Sequence, residues 1–159
     1  MSKLWRNIVS LVASVAIAEG TGLISGLLAG DIGEIYKTLN QPPFAPSGIV
    51  FPIVWVILYA LMGVAAWLVY IADDDPAKKH HALRGYWMQL LINFVWPIVF
   101  FRFGAFWAAA WMLGGLIFLV WECLLQFKEI RPWAGYLLIP YMIWLLFALY
   151  LNIGTAILN

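Results

Sequence analysis

Residues 48–72 read GIVFPIVWVILYALMGVAAWLVYIA, and no side chain in this stretch carries a charge. An α-helix needs about 20 mostly apolar residues to cross the hydrocarbon core of a bilayer, so the stretch predicts a transmembrane helix. A lipid-facing barrel strand would show polar residues at alternate positions, whereas residues 49–56 are apolar on every face. This pattern favours helices over a barrel.

The composition of the whole chain supports the same interpretation. Hydrophobic residues make up 65% of the 159 residues and charged residues 11%, and the mean hydropathy is +0.91. Soluble globular domains have about half apolar and about a quarter charged residues. The sequence therefore predicts an integral membrane protein whose main partner is the lipid bilayer, and we expect no nucleic-acid partner.

Four further apolar stretches are similar in length to residues 48–72. Together they predict an all-α bundle of five transmembrane helices in a single domain over residues 1–159, with spans near 5–28, 48–72, 83–101, 104–127 and 133–158. The stretch nearest the amino terminus, residues 5–28, is long and rich in glycine and has no convincing small-residue cleavage site. We therefore interpret it as a retained helix and not as a signal peptide.

Basic residues indicate the orientation of the bundle. Seven fall in the amino-terminal segment and in the second and fourth loops, and two fall on the opposite side: Lys3, Arg6, Lys78, Lys79, Arg84, Lys128 and Arg131 against Lys37 and Arg102. The positive-inside rule then predicts a cytoplasmic amino terminus and an external carboxyl terminus. We expect the protein to lie in the plasma membrane. The first loop, residues 29–47, is rich in proline and is predicted to cap the outer helix ends.

Two polar features suggest metal or redox chemistry and are better explained otherwise. Residues 73–81 combine three aspartates with Lys78, Lys79 and two histidines around Pro76, which is typical of a solvated turn between spans. Cys123 is the only cysteine and cannot form an internal disulfide, so we interpret it as a small packing residue. We predict no metal site.

Small residues recur at helical spacing in two of the spans. One stripe contains Ala18, Gly22, Gly26 and Gly30, and the other contains Gly104, Ala108 and residues 110–114. Such stripes allow close helix packing, and the sequence leaves open whether they pack within one bundle or form a homodimer. Pro97 and Pro140 lie inside predicted helices and are expected to kink them, freeing the carbonyls of Asn93 and Tyr136.

Several chemically distinctive residues fall at similar membrane depth. At about 1.5 Å per residue, five of them lie within roughly 8 to 15 Å of the outer face, with Trp144 slightly deeper: Glu19, Trp55, Asn93, Trp96 and Ala148. A carboxylate at this depth is a candidate functional group, although a protonated Glu19 bonded to the backbone of Thr21 or to Asn93 is an equal alternative. The tryptophans have two explanations: they line a ligand pocket, or they are ordinary aromatic core packing.

With Tyr59, Phe94 and Phe147, these tryptophans predict a pocket with flat aromatic walls. Such a pocket suits a large, planar, hydrophobic molecule held by stacking, with Asn93 as an orienting polar group. Other tryptophans near predicted helix ends are interpreted as interfacial anchors: Trp5, Trp87, Trp107 and Trp133.

Three segments resemble the translocator protein family, also called tryptophan-rich sensory proteins or TspO/MBR. They are YKTLNQPPFAP at 36–46 with VFPIVW at 50–55 and LYALMG at 58–63, QLLINFVWP at 89–97 with Phe100 and Phe101, and PYMIWLLFALYLN at 140–152. The resemblance implies a five-helix bundle whose first loop covers a ligand cavity. It also implies binding of porphyrins, of cholesterol-like lipids in some members, and of synthetic aromatic ligands.

The resemblance also implies roles for individual residues. Trp55, Asn93, Trp96, Trp144 and Ala148 match cavity-lining positions, and Tyr36 and Pro42 match the lid. In some bacterial members the positions of Trp55 and Trp144 are associated with light- and oxygen-dependent porphyrin breakdown. Phe44 and Ser47 depart from the family's tryptophan and second proline in the lid.

The resulting expectation is a membrane receptor for porphyrin or a similar ligand, acting in tetrapyrrole handling or stress sensing. The alternative is a transporter of such molecules across or along the membrane, with Glu19 as a titrating group. We expect no required cofactor and no conventional catalytic site. Because no histidine lies in the predicted spans, a metal-free tetrapyrrole such as protoporphyrin IX is favoured over haem.

Overall fold

The structure, a computed structural model, describes residues 2–159. Within that range it contains seven α-helices, one π-helical turn and no β-strand. The helices are α1 Lys3–Ala29, α2 Ile32–Thr38, α3 Val50–Tyr70, α4 Pro76–Pro97, α5 Phe106–Ile130, α6 Pro132–Tyr136 and α7 Ile139–Leu158, and the π turn is Ile98–Arg102. The all-α prediction is confirmed.

Four helical segments of the described chain have the length and composition of membrane spans. They are Lys3–Ala29, Val50–Tyr70, Phe106–Ile130 and the combined Pro132–Leu158. The chain is therefore a multi-pass helical membrane protein. Helix α4 is long enough to span a membrane but is less apolar than these four segments. It begins seven residues before the predicted span 83–101 and includes the basic segment at 78–81.

The polar turn before α4 is a helix-capping segment. The Asp75 side chain accepts a hydrogen bond of 3.1 Å from the Ala77 backbone N–H, and Pro76 occupies the start of the helix. The backbone N–H of Asp75, together with Lys78, holds the pKa of the Asp74 carboxyl below its usual range. No group of three metal-ligating side chains occurs in residues 2–159.

The two internal prolines act differently from each other. After Pro97 the backbone widens into the π turn, where the Phe103 N–H donates to the Ile98 carbonyl over 3.2 Å. Near Pro140 the last span is broken and not merely kinked: α6 ends at Tyr136, and Pro140 lies in the first turn of α7, where proline is tolerated. The predicted span 133–158 is interrupted two residues earlier, at Leu137 and Leu138, between α6 and α7.

Helix packing depends on small residues at a few close contacts. A β-carbon at Gly63 of α3 would lie 2.6 Å from the Val15 Cα of α1, and one at Gly22 would lie 2.3 Å from the Tyr59 ring. Gly22 thus packs within the bundle. Gly26, Gly104 and Gly114 have no neighbouring atom within 4 Å of such a β-carbon, so homodimer formation through those positions stays a prediction.

The described core lies between α3, α4, α5 and α7. Its largest fully buried side chains are Tyr86, Tyr141, Phe127, Met62, Leu113, Leu116, Leu138 and Leu145. Helix α1 packs extensively on α3, and α5 packs on α4, α6 and α7, whereas α3 and α7 touch only sparsely. A gap between α3 and α7 follows from this arrangement.

Candidate functional site

An open groove of about 370 Å³ occupies the gap between α3 and α7. Its walls are almost wholly apolar and consist of Val54, Ile57, Leu58, Pro140, Ile143, Trp144 and Phe147. Ile57 is 54% exposed and Ile143 is 62% exposed. Because exposed apolar side chains of a membrane span face lipid, the groove opens sideways to the bilayer.

Trp144 connects the groove to the loop through a series of aromatic rings. Its ring centroid lies 5.6 Å from that of Phe147 and 5.9 Å from that of Phe51. The Phe51 ring in turn lies 5.0 Å from the ring of Tyr36. Tilted and edge-to-face pairs at these distances are favourable aromatic contacts.

Trp55 belongs to a second aromatic group, deeper between the same helices. Its ring lies 5.5 Å from Tyr59 and 6.2 Å from Tyr141 of α7. Trp55 is half-buried, and Tyr59 is buried over Gly22. Of the predicted ring-bearing residues, Trp144 and Phe147 of α7 line the groove, whereas Trp55 and Tyr59 of α3 do not.

Glu19 lies on α1, about one helical turn before Gly22, and is half-buried. In the described chain it forms no hydrogen bond with Thr21 or Asn93, and the Thr21 hydroxyl donates instead to the Ile17 carbonyl over 2.8 Å. The structure therefore gives no support to the bonded alternative for Glu19.

Trp96 has different surroundings from the other two predicted tryptophans. Its ring packs on Phe100 and Phe101 with centroids 5.3 Å and 6.3 Å away. Its indole N–H donates to Asn152 Oδ1 over 3.1 Å, and the Asn152 amide donates to the Phe106 carbonyl over 2.8 Å. No ring pair in the described part joins Trp96 to Trp55 or Trp144, so the predicted aromatic layer divides into separate groups.

Two buried N–H donors, one on the groove wall and one on α4, have no partner in the described structure. They are Asn93 Nδ2, on a residue that is 1% exposed, and Trp144 Nε1. Buried polar groups normally have a partner, so each of these N–H groups is available to a water or a ligand. Ala148 is buried in the core one turn beyond Trp144 on α7, and it does not line the groove.

The loop between α1 and α3 is attached to the end of α7. Pro42 is buried against Gly154, and the Tyr150 hydroxyl donates to the Pro43 carbonyl over 2.7 Å. The Asn40 N–H donates to Asn159 Oδ1 over 3.0 Å, and Asn159 Nδ2 returns a bond of 3.0 Å to the Asn40 carbonyl. The loop therefore has fixed positions beside the last turns of α7.

Within the loop, Tyr36 holds the backbone in place. Its hydroxyl donates to the Pro46 carbonyl over 2.7 Å, and Gln41 Nε2 donates to the Tyr36 carbonyl over 2.9 Å. Partial burial raises the pKa of Tyr36 above its usual value. Phe44, where the resemblance leads one to expect tryptophan, adopts a positive φ of 66° and is 90% exposed.

Sequence reasoning missed several residues that build the site. Phe51 and Tyr141 supply rings to the tryptophans, and the Tyr141 hydroxyl donates to the buried Gln89 Oε1 over 2.9 Å. The signal that selects Asn93, a polar side chain inside an apolar span, is equally present at Gln89 and Asn152.

Fold and site together define a class of protein: a small, multi-pass, all-helical membrane protein with an aromatic groove that opens to lipid. The chain belongs to the TspO/MBR family, whose model matches residues 13–158. The predicted resemblance is confirmed, and membership places the chain among membrane proteins of the sensory and translocator type.

Individual relatives are similar over most of their length. The chain is 32% identical to the tryptophan-rich sensory protein of Cereibacter sphaeroides over 159 residues, covering 100% of this chain and 95% of that protein. It is 31% identical to the tryptophan-rich protein TspO of Archaeoglobus fulgidus over 160 residues, covering 96% and 99%. It is 37% identical to the translocator protein homolog of Schizosaccharomyces pombe over 128 residues, covering 78% and 77%.

Proposed function

We propose that this protein binds a porphyrin, or a similar large planar hydrophobic molecule, in the groove between α3 and α7. The observation that carries the proposal is the combination of an aromatic wall, a sideways opening to lipid and a buried indole N–H on Trp144 that has no partner in the described part of the chain. Binding would serve tetrapyrrole handling or stress sensing, and it requires no resident cofactor.

The size and chemistry of the groove suit such a ligand. Small-molecule sites typically measure about 300–1,000 Å³ and have apolar walls with a few orienting polar groups. Rings of Trp144 and Phe147 supply flat surfaces for stacking. The N–H group of Trp144 supplies a donor on the groove wall for an acceptor atom on the ligand, such as a carboxylate. We further propose that the ligand reaches the Asn93 amide, which lies on α4 outside the groove lining.

The loop serves as a cap in this proposal. Its attachment at Pro42 and Asn40 sets it beside the outer end of α7, and Tyr36 contacts Phe51 next to the groove wall. Ligand exchange then occurs sideways through lipid, or past the loop when its bonds to α7 open.

The membrane arrangement completes the proposal. We assign α4 with the π turn as the fifth span, because residues 83–101 carry one charged side chain near the start and are otherwise suited to hydrocarbon. The distribution of basic residues supports a cytoplasmic amino terminus in the plasma membrane. Under light and oxygen, the electron-rich indoles of Trp55 and Trp144 are the groups that would support breakdown of a bound porphyrin.

The test is a titration of the detergent-solubilised protein with protoporphyrin IX in the dark, followed by quenching of tryptophan emission. We expect saturable quenching and a Kd that rises about tenfold in a Trp55→Phe, Trp144→Phe double variant, since each aromatic contact contributes about 0.5–1.5 kcal/mol. Trp107→Phe with Trp133→Phe is the matched control, because both indoles are exposed at helix ends. Equal affinities in the two double variants would disprove the assigned site.

Transport of the same ligand is a second candidate function, favoured by the sideways opening and by the half-buried Glu19 carboxyl. Liposomes that contain the wild-type chain would then show protein-dependent porphyrin flux, and Glu19→Gln would slow it. A flux equal to that of empty liposomes would exclude transport and leave binding as the function.

A further inference from the structure

A second groove lies away from the candidate site, along one face of α4 near its beginning. It has a volume of about 470 Å³ and is lined by His80, Leu83, Arg84, Trp87, Met88 and Leu91. These residues recur at intervals of three and four, so they lie on one face of the helix. Trp87 is 49% exposed and Leu91 is 64% exposed, so no other helix of the described chain covers this face.

The groove is polar at one end and apolar along the rest. His80 and Arg84 lie at the end nearest the polar turn, and the apolar side chains follow toward the middle of the helix. From His80 to Leu91 the helix rises about 16 Å, at about 1.5 Å per residue. That distance is close to half of the roughly 30 Å hydrocarbon core, which is the depth of one lipid leaflet.

The guanidinium group of Arg84 is available for an anionic partner. The two ion pairs within residues 2–159 join Lys37 to Glu34 and Lys78 to Asp74, and neither uses Arg84. One guanidinium nitrogen lies 3.2 Å from His81 Nδ1, and the side chain is exposed. Arginine presents five N–H donors, so this single contact leaves most of them unused.

The carboxylates of the turn before α4 are engaged or lie outside the helix, and none of the residues that line the groove is acidic. Asp74 is paired with Lys78, and Asp75 accepts the hydrogen bond from Ala77 that caps α4. Asp73 precedes the helix in the exposed turn. The polar end of the groove therefore presents positive charge and ring N–H groups to the membrane surface.

We propose that this face of α4 binds an anionic phospholipid of the adjacent leaflet. The phosphate lies against Arg84 and His80, and one acyl chain runs along Leu83, Trp87 and Leu91. Guanidinium groups bind phosphate oxygens through paired, charge-assisted hydrogen bonds, and basic residues beside a span commonly bind anionic headgroups. The inference requires α4 to span the membrane, as proposed above, and is independent of porphyrin binding.

The experiment is native mass spectrometry of the full chain extracted from vesicles of equimolar phosphatidylglycerol and phosphatidylcholine with identical acyl chains. We expect retained phosphatidylglycerol on the wild type, and a ratio of retained phosphatidylglycerol to phosphatidylcholine about tenfold lower in Arg84→Gln, since a charge-assisted bond to phosphate is lost. Arg131→Gln is the matched control, because Arg131 is also exposed and its loss changes the net charge equally. It should keep the wild-type ratio.

A second measurement uses the native arginine and does not depend on the folding of Arg84→Gln. Phosphatidylglycerol brominated on its acyl chains should quench the emission of wild-type protein more strongly than brominated phosphatidylcholine, and Trp87→Phe should remove the difference. Equal lipid ratios in the two arginine variants, or equal quenching by the two brominated lipids, would overturn the proposal. A lipid-free dimer that dissociates in Leu91→Ala would also overturn it and assign the groove to a second copy of the chain.

Discussion

Pro42 packs on Gly154 so closely that a β-carbon at position 154 would lie 2.5 Å from the proline Cβ. The contact joins the loop between α1 and α3 to the last turns of α7. It lies between two polar contacts of the same kind, from Tyr150 to Pro43 and from Asn159 to Asn40. Glycine at position 154 therefore determines how closely the loop can approach α7.

Gly154→Ala should push the loop away from α7. Overpacking of this kind costs about 1–3 kcal/mol, and we expect that loss of stability in thermal unfolding of the detergent-solubilised protein. Gly115→Ala is the control, because no atom lies within 4 Å of a β-carbon at that exposed site and alanine favours the helix. Equal melting temperatures for the two variants would contradict the contact.

Tyr150→Phe should loosen the loop without disturbing the bundle. It removes the bond to the Pro43 carbonyl, and a hydrogen bond contributes about 0.5–1.5 kcal/mol. Hydrogen exchange of the loop amides, read by mass spectrometry, should accelerate, and bound protoporphyrin should dissociate faster. Tyr70→Phe, which removes an exposed hydroxyl at the far end of α3, should change neither rate.

Asn93 and Asn152 should respond in opposite ways to replacement by leucine. Asn93 Nδ2 is buried and has no partner among residues 2–159, so Asn93→Leu should stabilise the ligand-free protein by about 1 kcal/mol and weaken porphyrin binding. Asn152→Leu leaves the Trp96 indole N–H without its acceptor, so it should destabilise the fold by about 1–3 kcal/mol.

Chemical unfolding curves with and without protoporphyrin separate these two effects. If Asn93→Leu destabilised the ligand-free protein as much as Asn152→Leu does, the Asn93 amide would have to be a structural group and not one awaiting a ligand.

Alkaline pH should release the loop through Tyr36. Burial raises the pKa of this phenol when the loop is docked, so docking is favoured fully below the free value of about 10 and is lost as the pH rises through the higher docked value. Deprotonation also removes the hydrogen bond to the Pro46 carbonyl. The hydrogen-exchange rate of the loop amides, corrected for its intrinsic pH dependence, should increase once the pH exceeds the pKa of docked Tyr36.

Tyr36→Phe provides the control for this pH effect. Both chains should carry Tyr150→Phe, which removes the other phenol bonded to the loop. In that background the Tyr36 variant should have a looser loop at neutral pH and no further loosening between pH 9 and about 11, the range in which a phenol titrates. A wild-type loop that opened equally in the variant over the same range would exclude Tyr36 as the titrating group.

The sequence predicts the fold well where hydrophobic runs alone decide it. Uncharged residues 48–72 require a span, and α3 covers most of them. The form of a break is less visible: Pro140 predicts a disturbed helix, because proline has no N–H to donate to the Tyr136 carbonyl, but it does not say that the span divides into α6 and α7. The start of α4 extends past the apolar run because Asp75 and Pro76 supply a strong helix cap.

The candidate site is predicted in part. Depth along a helix places Trp55 and Trp144 at similar levels, but it does not say which way a side chain points around the helix axis. That is why Trp96, at the same level, proves to pack on Phe100 and bond to Asn152. Rotational position depends on which helices are neighbours, and that is a property of the tertiary packing.

The sideways opening of the groove between Ile57 and Ile143 has a consequence for how occupancy is controlled. A ligand that enters from lipid is dissolved in the bilayer first, so the fraction of protein occupied follows the ligand's mole fraction in the membrane. Adding lipid while the amounts of ligand and protein stay constant would lower the ligand's mole fraction and therefore empty the site. Dilution with solvent has the same effect on a soluble receptor. A cell could alter binding simply by changing its membrane area.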